Sequence, residues 1–124
     1  MKAWALHMLG HVTYFDGFPV RGAVGEALAR YLLAYEDGTT AEVPLRNGIE
    51  MASASMIARN SRMNPIAVEA ERALVIRIDP DFEIYQVNRF ILRTDHTKRL
   101  EKIRFESLST DYYPLLYAVT VETR

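Results

Sequence analysis

Apolar and polar residues alternate with a period of two along much of this chain, and Gly, Pro, Asn and Asp punctuate the runs. The clearest stretch is Leu28 to Gly48, LARYLLAYEDGTTAEVPLRNG. There two apolar-rich runs are joined by Glu36-Asp37-Gly38-Thr39 and closed by Arg46-Asn47-Gly48. Asp-Gly and Asn-Gly accept φ > 0, which short hairpin turns require, so the stretch predicts two adjacent antiparallel turns with strands over 28–36 and 40–45. Pro44 has no N–H to give a ladder, which places the second strand at a sheet edge or ends it there. Ala23, Ala27, Leu28, Tyr31, Leu32 and Tyr35 also keep a helical spacing. A hairpin needs two strands, and that decides for strand.

The remaining runs read the same way. Residues 3–12 form a largely buried first strand, followed by a loop from His11 to Gly22 rich in aromatics, glycine and proline. Ile49 to Ala58 is a short helix or an irregular strand, and 59–65 a loop. Strands are expected over 73–79, over 82–94 with Tyr85, Val87 and Ile91 on one face, and over 99–108. Within the last of these Ile103 and Phe105 point inward while Leu100 falls on the wrong parity, which predicts a bulge or an offset. Asp95-His96-Thr97 and 109–113 are turns. Residues 115–123 are apolar on both parities, the mark of a central strand covered on both faces. Eight or so short strands predict an all-β antiparallel β-sandwich or jelly roll, one domain over 1–124.

Composition narrows the partners. Fifteen basic and sixteen acidic residues balance, so no nucleic-acid footprint or membrane-surface patch is expected. The chain has no cysteine, which removes disulfides, thiolate metal sites and a cysteine nucleophile. The uncharged run 3–15 is interrupted by His7 and His11 and lacks a cleavage pattern, so it is not read as a signal peptide.

Four segments in order carry a resemblance: Tyr31 to Thr39 (YLLAYEDGT), Glu42 to Glu50 (EVPLRNGIE), Leu100 to Phe105 (LEKIRF) and Leu115 to Glu122 (LLYAVTVE). Together they resemble the galactose-binding-like β-sandwich modules appended to bacterial glycoside hydrolases. The resemblance implies a non-catalytic carbohydrate-binding module that directs an attached polysaccharide-acting enzyme to its glycan. It implies an extracellular or periplasmic setting, a poly- or oligosaccharide partner and a domain excised from a larger multimodular protein. Such modules often carry a tryptophan just after the Asn47-Gly48 position and another in mid-domain. Here Met51, Met56 and Tyr85 occupy that neighbourhood, and the only tryptophan is Trp4. The alternative is a structural, protein-interaction or oligomerisation module that binds no sugar.

Sugar recognition needs flat apolar faces for pyranose C–H groups and planar polar groups for the hydroxyls. Tyr14, Phe15, Asp16, Phe18 and Arg21 hold that mixture in one loop, and Tyr112 and Tyr113 beside Asp111 are the second choice. The rings would stack while Asp16 and Arg21 took hydroxyls. Loop aromatics more often plug the end of a sandwich, and for Phe15 and Phe18 that plainer role ranks first. No metal site is expected. On one strand His7 and His11 lie about 13 Å apart, too far to share an ion. Asp79, Asp81 and Glu83 alternate as structural calcium ligands do, but without a loop signature they read as solvated turn carboxylates. No cofactor is expected either. The serine-elbow, phosphate-loop and dinucleotide motifs are all missing, and no carboxylate pair stands out as catalytic.

Overall fold

The computed structural model describes residues 1–14, 24–54, 67–78, 83–108, 110 and 112–123. Among these the chain forms strands only: β1 (Ala5–Tyr14), β2 (Ala27–Tyr35), β3 (Thr40–Arg46), β4 (Ala70–Ile78), β5 (Glu83–Arg93), β6 (Leu100–Ser107) and β7 (Tyr112–Glu122). They make two sheets, β4-β5-β1-β7 and β3-β2-β6, with every strand pair antiparallel. One core joins them. Leu6, Met8, Val12 and Leu92 from the larger sheet meet Leu28, Tyr31, Leu33, Leu45 and Leu100 from the smaller, the arrangement of a β-sandwich. Each of these apolar side chains contributes roughly 1.5–3 kcal/mol by leaving water.

The β2–β3 hairpin forms as its turn chemistry requires. Gly38 sits at φ +82°, the Gly38 N–H donates to the Tyr35 carbonyl, and the Asp37 carboxylate accepts from the Thr39 N–H and hydroxyl. Those bonds, with Lys98 beside them, hold the Asp37 carboxyl down at about 2. Helical spacing in 23–35 therefore yields to period two, and Tyr31, Leu33 and Tyr35 face the core. Pro44 lies on β3, an outer strand, opposite Arg30. The bulge expected at Leu100 is present: the register slips between Ala34 and Tyr35, which brings Leu100 opposite Tyr35 and buries it.

Three expectations need correction. Asn47-Gly48 does not open a second antiparallel hairpin. The chain curls back on itself so that the N–H groups of Ile49, Glu50 and Met51 all reach the Arg46 carbonyl. In its described part, 49–54, the methionine-alanine segment takes the irregular-strand alternative rather than the helix. Met51 and Ser53 make isolated bridges, and 52–54 bonds to Val12 on one side and Gln86 on the other. Residues 13–14 and 112–113 are strand rather than loop and turn, because β1 and β7 stay paired to Tyr14↔Tyr112. Finally, β7 is an outer strand exposed on both faces, while β1 holds the central place. An apolar residue on both parities marks a covered central strand and a bare edge equally well.

Candidate functional site

The two outer faces of the sandwich differ in chemistry. On the smaller sheet, Arg30 donates to Glu106 at 2.9 Å and to Glu42 at 3.2 Å, a charged cluster reaching across all three strands. The larger sheet presents an apolar surface instead. Cross-strand partners share a face, so Leu74, Ile76, Val87, Ile91, Leu9 and Leu115 lie on one side, away from the core. Paired side chains close its rim, Glu71 with Arg89 in an ion pair and Glu122 hydrogen-bonded to His7.

The end of this sheet near Tyr14 gathers the tyrosines. Residues Thr13↔Tyr113 and Tyr14↔Tyr112 are Cα partners, so the start of the first-choice loop and the second-choice pair stand side by side. Tyr113 is 46% exposed and shares the outer face with Leu115. Phe15, Asp16, Phe18 and Arg21 lie outside the described residues, as do Asp79 and Asp81.

Tyr117 belongs to the same surface although its sequence position did not single it out. The β1–β7 register slips between Leu9 and Gly10, so Leu9 faces Ala118, Gly10 faces Leu116, and Tyr117 is the extra residue of a bulge. Gly10 makes the bulge possible. A Cβ there would stand 2.3 Å from the Leu115 carbonyl oxygen, so only glycine lets the two backbones approach so closely. Tyr117 is 58% exposed, yet its hydroxyl is fixed 3.1 Å from His11 Nε2, with the rings in edge contact.

The protonation of that pair follows from its partners. His11 Nδ1 lies 3.1 Å from the Gln86 carbonyl oxygen, which can only accept. Nδ1 therefore carries the hydrogen and Nε2 accepts from the Tyr117 hydroxyl. Burial pushes the His11 pKa below its ordinary 6.5, against the pull of the Gln86 bond, and keeps the ring neutral. The Tyr117 oxygen is left with its lone pairs toward solvent, on a ring whose orientation is set in advance.

Other candidates have internal uses. His7 pairs with Glu122 at 3.2 Å, Trp4 packs on His96 with ring centroids 4.0 Å apart, and the buried Glu50 carboxylate is bound by the Arg46 guanidinium and main-chain N–H. Among the described residues no group of three His, Asp or Glu is placed to hold a metal ion. A cavity lined by Met8, Tyr31, Leu45, Glu50, Met51 and Asn88 measures about 20 Å³. That is room for about one water and far too little for a sugar ring. Comparisons of the chain with protein-family models, with curated proteins and with solved structures each found no match.

Proposed function

We propose that the chain is a non-catalytic carbohydrate-binding β-sandwich module of the galactose-binding-like, jelly-roll type, and that it directs an attached polysaccharide-acting domain to a glycan. One observation carries the reading: Tyr113 and Tyr117 stand exposed along β7, next to the register position at which Tyr14 and Tyr112 are partners. Tyr113 and Tyr117 offer ring faces to pyranose C–H groups, and the Tyr117 oxygen accepts from a sugar hydroxyl while donating to His11. Its fixed orientation reduces the ordering cost of binding. Phe15, Asp16, Phe18 and Arg21, which follow Tyr14 in the chain, complete the proposed set.

Affinity gel electrophoresis against a panel of soluble polysaccharides tests this reading. At least one glycan retards the wild type, and Tyr113→Ala together with Tyr117→Ala abolishes the effect. No retardation by any glycan at millimolar sensitivity overturns it.

A second reading has its own support. A face bearing exposed Leu74, Ile76, Ile91 and Leu115 suits a protein partner better than a sugar, since aliphatic patches of this kind mark association surfaces. Under that reading the domain is a structural or oligomerisation module.

A further inference from the structure

Each sheet has two outer strands, and three of the four carry features that keep another strand away. β3 contains Pro44 and exposes Thr40 and Glu42, and β6 exposes Glu101, Lys102 and Arg104. β7 has Pro114 near its start and the bulge at Tyr117. β4 is different. Between Arg72 and Arg77 it reads Ala73-Leu74-Val75-Ile76, with no charge, proline or glycine, and its own register slip lies upstream of Leu74. Leu74, Val75 and Ile76 are 51%, 51% and 44% exposed.

These three apolar residues are consecutive, which limits what can cover them. Leu74 and Ile76 pair with Val87 and Tyr85 on the outer face, whereas Val75 pairs with Gln86 on the core side. A helix or a sheet laid on one face covers one set and leaves the other bare. A strand added alongside β4 shields both sets at once and supplies main-chain hydrogen bonds as well.

We propose that this strand is β4 of a second copy of the chain, paired antiparallel about a two-fold axis at Val75. The segment is self-complementary in that register. Val75 meets Val75 of the second copy, and each Leu74 meets an Ile76, so like faces coincide. Facing selects the same register: a slip of one residue sets Leu74 opposite Val75 and turns apolar residues onto the wrong face. The product is a continuous eight-stranded sheet whose ends are the two β7 strands, about 34 Å apart at ordinary strand spacing.

The inference goes beyond the sugar reading and is independent of it. It leaves both tyrosine clusters open at opposite ends, so a dimer engages a repeating glycan twice.

Sedimentation and light scattering across a concentration series test it. Wild type is expected to reach twice the chain mass, Val75→Lys to remain monomeric with an unchanged circular dichroism spectrum, and Tyr117→Lys on the opposite edge to dimerise as wild type does. Because the chain has no cysteine, Val75→Cys reports the register directly. It should form a disulfide-linked dimer under mild oxidation, while Val119→Cys should not. A wild type that stays monomeric at millimolar concentration overturns the proposal. So does a Val75→Lys dimer, or cross-linking no faster at position 75 than at 119. Glycan retardation of monomeric Val75→Lys judges the sugar reading alone, so the two can fail separately.

Discussion

Gly10 shows how much one missing methyl group can carry. The turn-forming glycines Gly38 and Gly48 have positive φ, but Gly10 is needed for space, because the Leu115 carbonyl occupies the place of a side chain. Gly10→Ala must push β7 away from β1 or flatten the bulge, a strain of roughly 1–3 kcal/mol or more. Thermal melting should show a fall in Tm of several degrees, and the contact between Tyr117 and His11 should be lost from NMR spectra. His11 itself gives a pH signature. Its folded pKa lies below 6.5, so the unfolded chain takes up the proton first as pH falls. This contribution to stability is fully present above pH 6.5 and declines as pH drops from there through the folded value. Urea midpoints measured between about pH 7.5 and pH 5 should fall in wild type, and His11→Gln should remove that part of the slope. Neither role was legible in the sequence. A glycine in a strand signals a bulge or a close approach in general, but its partner lies more than a hundred positions away.

At the level of elements, period-two alternation marks β4, β5 and β6, the hairpin turn decides for β2 and β3, and the Leu100 parity error marks a real bulge. Errors gathered where alternation is ambiguous. Apolar residues on both parities made β7 read as central, whereas it is an edge. The second turn departs from its hairpin chemistry for a different reason. Asn47-Gly48 has hairpin chemistry, and Gly48 does adopt φ +75°, but Glu50 redirects the chain by reaching back to the Arg46 N–H at 2.8 Å and to its guanidinium. That carboxylate is buried, so its replacement is costly. Glu50→Gln keeps one acceptor but sets an NH2 group among donors, and should lower stability by about 1–3 kcal/mol in chemical denaturation. Pro44 is legible because its constraint is local. A proline cannot donate to a neighbouring strand wherever the sheets lie.

Across the whole molecule, the all-β class and the pairing of β2 with β3 were open to local reasoning, while the division into sheets was not. β1 lies between β5 and β7, its partners in the chain's second half, and nothing near residues 5–14 announces this. The candidate surface divides along the same line. Tyr112 and Tyr113 were singled out by composition, but their meeting with Tyr14 depends on the β1–β7 ladder. Tyr117 is not legible at all, because no pattern marks a bulge residue whose hydroxyl is anchored from the neighbouring strand.

That ladder also fixes a polarity. It runs from Tyr14↔Tyr112 at one end to Ala5↔Glu122 at the other, where the Trp4 N–H reaches the Glu122 carbonyl. Residues 1–4 and 122–123 therefore lie at one pole of the sandwich, and the Tyr14↔Tyr112 pair and Tyr113 lie at the opposite pole. A polypeptide joined at either end begins its path on the far side from the rings. The direction of travel of any tether, and the clearance it leaves in front of the aromatic pole, are the same whether the neighbour precedes this domain or follows it.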